Sequence, residues 1–315
     1  MMLKKAWLYT FCLFLLAVGC TSVNSSSRQD PPNNPNEITT SNTNRRNKLR
    51  AQIKQISEAA RGRVGVTATV LETGESMSLN GNQRFPMQSV YKLPIAMAVL
   101  ERVDRGKLKL NQKIRVKTSD VVRGSQILDQ KSIGVELTLT ELLKYMVSDS
   151  DNTACDVLLR LVGEPKIVTQ YLRDLGVNDI VVSNTEQELM QDPAVQYRND
   201  ATPDAAVVLL RAFHEGKGLS KSSQALLRRL MIETSTGKKR IKGLLPNGTV
   251  VAHKTGTSAT VKGVTAATND VGLVMLPNGQ NLAIAVFVAD STAEAAIREQ
   301  MIAKVTRTVW DEWSK

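Results

Sequence analysis

Apolar periodicity changes twice along this chain, and the order of those changes limits the folds open to it. Near the start, Val64, Val66, Ala68 and Val70 alternate with small or polar residues, the two-residue repeat of a strand. Met77 and Leu79 follow a Thr73-Gly74 turn as a returning strand. From about 89 to 230 the pattern becomes helical, as in Leu93–Val103, Leu139–Met146 and Ala205–Phe213. It reverts to strands at Val250–His253, Val271–Leu276 and Leu282–Ala289, with Pro277-Asn278-Gly279 as a turn between the last two. A last helix is expected from Ser291-x-x-Glu294, a capping-box pattern, burying Ile297, Met301, Val305 and Val309. Strands from both ends must share one sheet. The expected fold class is therefore α/β plus all-α: an antiparallel sheet flanked by helices, built from 48–88 and 231–315, packed on a helical domain inserted at 89–230.

Before Lys48 the composition is different. Lys4 and Lys5 precede an apolar run from Ala6 to Val18, too short for a spanning helix of about 20 residues, so 1–19 reads as an export signal. It ends in Leu16-Ala17-Val18-Gly19-Cys20, where a Cys behind small residues suggests lipidation and a membrane tether; simple secretion is the other reading. The expected location is periplasmic, with or without that anchor. Residues 20–47, rich in Ser, Asn, Thr and Pro, offer too little apolar surface to fold and are expected to be a disordered tether. Order is expected from Leu49, Ile53, Ile56 and Ala60, at helical spacing.

The formal charge of +11 raises the question of nucleic acid. Aromatic residues make up only 4% of the 315, too few for base-stacking platforms, and no nucleic-acid partner is expected. Cys155 is the single thiol left in the folded domain, so no disulfide can form within it, and it reads as a small buried side chain on a helix. His214 falls in a helix and His253 in a strand beside Lys254, which disfavours both a Ser-His-Asp triad and a zinc site. No metal or cofactor is expected. Acyl-transfer chemistry would have to draw its base from a Lys or a carboxylate.

Three short motifs offer that chemistry. Ser89-Val90-Tyr91-Lys92 places a hydroxyl and an amine three residues apart on a helical face, within mutual reach. About one such S-x-x-K is expected by chance in a chain of this size. Ser235-Thr236-Gly237-Lys238 is a second copy, with turn-like composition. Ser150-Asp151-Asn152 sits in a polar break between helices and alone would read as a helix cap. Lys254-Thr255-Gly256-Thr257 ends a strand and alone would read as a strand end running into a turn. All three in this order at plausible intervals are another matter.

The trio resembles the S-x-x-K, S-D-N and K-T-G set of class A serine β-lactamases and penicillin-binding proteins, and the likeness runs from about Lys48 to Trp313. The resemblance to a class A serine β-lactamase implies further residues. Glu186-Gln187-Glu188-Leu189-Met190 matches that family's Glu-x-x-Leu-Asn loop through Leu189, which favours Glu186 over Glu188 as the base that activates water. Met190 stands where the Asn that helps hold the water is usual, a departure shared by some relatives with broad cephalosporin activity. Arg240, 14 residues before Lys254, falls where some members carry a carboxylate-binding Arg, and otherwise reads as surface charge. The aromatic residue usual at the cleft mouth is not identifiable in Val121–Leu128.

The implied activity is hydrolysis of β-lactam antibiotics, cephalosporins included. Ser89 is the nucleophile, activated by Lys92, by Glu186 through a water, or by both, and Ser150 is the proton relay. Asn152, Lys254, Thr255, Gly256, Thr257 and Arg240 hold the substrate, and Asp151 orders the motif's backbone. The implied partner is a small β-lactam, bound by a monomer. The trio alone leaves open a D-Ala-D-Ala carboxypeptidase or transpeptidase, or a penicillin-binding sensor that acylates and stops.

Overall fold

A computed structural model describes residues 35–314, with the export segment, Cys20 and the first part of the expected tether outside them. The first helix spans Pro35–Ser57, so helix begins earlier than the apolar pattern announces. The reason is visible in its exposure. Side chains 43–48 all face solvent, and Leu49 is the first to reach the core, so no periodic stripe marks those early turns. Arg45 bonds the Glu312 side chain and backbone carbonyl near the other end of the chain.

Five strands form the main antiparallel sheet in the order Ser76–Leu79, Arg63–Val70, Asn281–Ser291, Val264–Met275, Val251–Thr257, with a short strand Thr260–Val261 also paired to Val264–Met275. The strand from the start of the chain lies against the last one, Val66 opposite Val286, as the split periodicity required. The near-continuous apolar run of Leu282–Ala289 follows from burial on both faces. Ala283, Ala285, Phe287 and Ala289 pack toward the helical insert, whereas Leu282, Ile284, Val286 and Val288 pack with Leu49, Ile53, Met301, Val305 and Val309 of the terminal helices.

Helix Lys92–Asp104 is buried on all sides from Lys92 to Leu100, which its apolar sequence dictates, and it carries the first motif into the centre of the molecule. The last helix departs from expectation. It runs Ala295–Trp313 with Glu294 at its N-cap and no side-chain cap bond. Ser291 stays in the sheet, its hydroxyl bonded to the Ala60 carbonyl, and so is withdrawn from the expected capping box. Ile297 is 41% exposed, and Arg298, bonded to Thr268 and the Ala293 carbonyl, takes the inward position instead.

Candidate active site

The first and third motifs meet where helix and sheet touch. Ser89 lies in a tight helical turn, Gln88–Tyr91, that leads into helix Lys92–Asp104. Strand Val251–Thr257 runs past this turn so closely that a β-carbon on Gly256 would collide with the Met87 carbonyl oxygen, which accounts for glycine at that position. The Asn269 side-chain amide donates to the Pro86 and Met87 carbonyls and fixes the turn to the next strand. Gln88 and Ser150 both hold left-handed backbones, with φ of 49° and 60°. Conformations of this kind cost of order 1 kcal/mol or more and are held by their surroundings.

The second motif closes the cluster. Asp151 caps helix Asn152–Val162 through the Ala154 N–H at 2.8 Å. Its other oxygen accepts from the Ser125 hydroxyl at 2.7 Å and from the Ile127 and Leu128 N–H groups. It orders backbone, as expected. Lys92, fully buried, donates to the Ser150 carbonyl at 2.7 Å and Asn152 Oδ1 at 2.6 Å, and lies 3.1 Å from Glu186 Oε1. Lys254, also fully buried, donates to the Ser150 hydroxyl at 2.9 Å. Ser150 thus sits between two lysines. Burial, reinforced by the neighbouring Lys92 charge, pulls the Lys254 amine down from its usual range to about 7.

Ser89, Ser150, Asn152, Thr255, Thr257 and Arg240 line a cleft of about 240 Å³, with Gly124, Ser125 and Gln126 and no aromatic residue at its wall among the described residues. The Ser89 hydroxyl makes no hydrogen bond among the described residues and is open to an incoming group. Arg240 is 6% exposed, which removes the surface-charge reading. Its guanidinium donates to the Gly256 and Asn269 carbonyls and the Thr257 hydroxyl and pairs with Glu299. Those contacts engage four of the five N–H donors of an arginine, leaving one to offer the cleft.

Glu186 and Glu188 are separated by geometry. Glu188 belongs to a capping box: its carboxylate accepts from the Thr185 N–H, and its own N–H donates to the Thr185 hydroxyl. Glu186, nearly buried, turns inward to Lys92. Met190 is 52% exposed, on the outer side of helix Glu186–Gln191.

Several contributors escaped the sequence reading. The Asp156 carboxylate accepts the Glu186 and Gln187 N–H groups, both at 2.9 Å, and sets the start of the Glu186 helix. Burial pushes this acid up to about 7 despite those bonds. Asp156 lies four residues after Asn152 on one helix, so helical spacing could have placed both on the same face. Gln88 reaches Gln196 at 2.9 Å and ties the nucleophile turn to the segment after Glu186. Thr236, from the discounted second S-x-x-K, bonds Thr255 at 2.6 Å and lines the cleft.

The β-lactamase enzyme family model matches residues 48–313. The chain is 43% identical to the extended-spectrum β-lactamase PER-1 of Pseudomonas aeruginosa, over 83% of this chain and 86% of that protein. It is 40% identical to β-lactamase VEB-1 of the same organism, over 84% and 89%. A solved β-lactamase from Chitinophaga pinensis superposes with a TM-score of 0.81 at 47% identity, over 84% of this chain and 98% of that one. With the three motifs gathered around one cleft and likeness along nearly the whole described chain, the protein belongs to the β-lactamase enzyme family, among its class A serine members.

Proposed function

We propose that the chain hydrolyses β-lactam antibiotics, cephalosporins among them, through an acyl-enzyme on Ser89 that Glu186 clears. The observation that carries this reading is the placement of Glu186 against Lys92 at 3.1 Å, beside the nucleophile's helix, where a second half-reaction can be driven. Ser89 Oγ attacks the lactam carbonyl and loses its proton. The contacts around Lys92 are taken up by Ser150, Asn152 and Glu186, which favours Glu186 through a water as the acceptor. Backbone N–H groups of Ser89 and Thr257 stabilise the oxyanion. The carbonyl–nitrogen bond breaks as Ser150 passes its proton to the leaving nitrogen, with Lys254 at 2.9 Å in support, and the proton taken by Glu186 returns to Ser150 by way of Lys92, leaving Glu186 a carboxylate again. Water then adds to the ester, Glu186 takes its proton, and Ser89 is released with its hydrogen restored. Asn152 holds the substrate's side-chain amide, and Lys254, Thr255 and Arg240 hold its carboxylate.

The test is turnover of a chromogenic cephalosporin by the wild-type chain. Steady release of many equivalents supports hydrolysis. One stoichiometric burst would point instead to a penicillin-binding sensor or a slow D-Ala-D-Ala peptidase.

The Lys254 value gives this binding a sign with pH. The ammonium dominates below about 7 and is lost as pH rises through it, so the KM of a carboxylate-bearing substrate should rise by up to about tenfold per unit above neutrality. The bound carboxylate favours the ammonium, so binding at pH 8 should take up a proton. Calorimetry in buffers of different ionisation enthalpy measures that uptake, and proton release would contradict it.

Export and attachment to a membrane through lipidated Cys20 complete the proposal, supported by the charged, apolar and small-residue succession of 1–20. Cys20→Ala should move the protein from the membrane fraction to the soluble periplasmic one. Unchanged fractionation would favour simple secretion. The unit that acts is a monomer.

A further inference from the structure

Behind the cleft, on the strand that carries the third motif, lies a buried histidine–carboxylate pair that the reaction described above does not use. His253 and Asp270 are both fully buried, and His253 Nδ1 lies 2.9 and 3.0 Å from the two Asp270 oxygens. A carboxylate only accepts, so Nδ1 carries the proton and donates. His253 Nε2 has no partner among the described residues, so the ring is committed to this one contact. Asp270 also accepts the Ile241 N–H at 3.1 Å.

These bonds hold one particular stretch of chain. Residues 234–241 leave helix Lys221–Ile232, cross the edge of the sheet and present Thr236 and Arg240 to the cleft. One end is held by the Thr234 hydroxyl on the His253 carbonyl at 2.9 Å, the other by the Ile241 N–H on Asp270. Between them the chain turns at Gly237, with φ of 68°, the Arg240 N–H closing on the Gly237 carbonyl at 2.9 Å. A β-carbon on Gly237 would run into the Thr255 methyl and stand 3.6 Å from the His253 ring, so the turn rests directly on the strand. Arg240 keeps one N–H for a ligand, which makes its usefulness depend on where this stretch is held.

We infer that the His253–Asp270 pair is a positioning device for carboxylate recognition, setting Thr236 and Arg240 against the substrate's anionic group without touching substrate itself. This rests on the β-lactam reading, since it assigns the pair to one feature of that substrate. Asp270 has a second effect through charge. Lys254 is surrounded by Lys92, Ser150, Glu186, Cys155 and Asp270, and the Asp270 charge is among those that favour its ammonium form. Asp270 itself faces His253, the Ile241 N–H and Lys242.

The experiment compares a chromogenic cephalosporin with its carboxylate methyl ester, using wild type, His253→Leu, His253→Asn and Asp270→Asn. Loss of a buried, charge-assisted bond should raise the KM of the acid about tenfold in His253→Leu, with kcat within about twofold and the ester little affected, so that acid-over-ester selectivity collapses. His253→Asn, whose amide can donate from the Nδ1 position, should restore most of that selectivity. Asp270→Asn should lose selectivity and also move the alkaline rise of KM to lower pH, because Lys254 loses a supporting charge. Wild-type turnover establishes the reading on which the inference rests. Given that turnover, unchanged selectivity in folded His253→Leu and Asp270→Asn overturns the pair's role alone. An equal loss for acid and ester that His253→Asn does not repair overturns it as well, by reducing the pair to general support of the fold.

Discussion

Glu186→Gln is expected to turn continuous hydrolysis into a single burst. The substitution keeps an oxygen that can accept from Lys92, 3.1 Å away in the native chain, and so preserves packing at a nearly buried position. It removes the capacity to take a proton from water. General-base assistance contributes about 10²–10⁴-fold, so deacylation should slow by about a thousandfold while an acyl adduct accumulates. Stopped-flow release of chromophore should show one equivalent per chain followed by a stall, and mass spectrometry should find the adduct on Ser89. The same variant reports on acylation. If the burst is also slowed, Glu186 activates Ser89 as well, as the occupied contacts of Lys92 imply. Deacylation at the wild-type rate would remove Glu186 from the mechanism.

Ser89→Ala should have the larger effect on turnover and almost none on binding. Without the hydroxyl no ester can form, and loss of a nucleophile in serine hydrolases costs on the order of 10⁶-fold in kcat. The groups assigned to the substrate carboxylate, Lys254, Thr255 and Arg240, belong to the sheet and its flanking segment and are untouched. Anionic β-lactams should therefore bind with an affinity near the wild-type ground state, measurable by calorimetry, with no adduct by mass. Turnover within tenfold of wild type would displace Ser89 as nucleophile.

The parts of the molecule legible in sequence are those where one physical signal dominates. Val64–Val70 and Leu282–Ala289 show strand periodicity because their neighbours in space are apolar on a regular repeat, and they pair as Val64 to Val288 and Val70 to Leu282. Ser89, Lys92, Ser150 and Lys254 stand out in the sequence because motif chemistry fixes residue type at short spacing, and the structure brings all four together. What was not legible depends on contacts across long stretches of chain. Ser291 carries the pattern of a capping box, but the Ala60 carbonyl, 231 residues earlier, claims its hydroxyl. Arg240 could be read two ways until Gly256, Asn269, Thr257 and Glu299 were seen around it. Asp156 gave no sign of its tie to the Glu186 helix, because the two N–H groups it accepts belong to residues 30 and 31 positions away. The Thr185-x-x-Glu188 box, by contrast, was readable and would have separated Glu188 from Glu186 at once.

The seam between Gly256 and the Met87 carbonyl also shapes how this enzyme can change. Any side chain there would wedge strand Val251–Thr257 away from the turn that carries Ser89, separating the two halves of the machinery before it could alter what fits between them. The cleft wall at Gly124–Gln126 is under no such contact at Gly124. Gly124 has no atom within 4 Å of where a side chain would begin, but its φ of 80° favours glycine, so the two glycines of the cleft are held for different reasons, Gly256 by crowding and Gly124 by conformation.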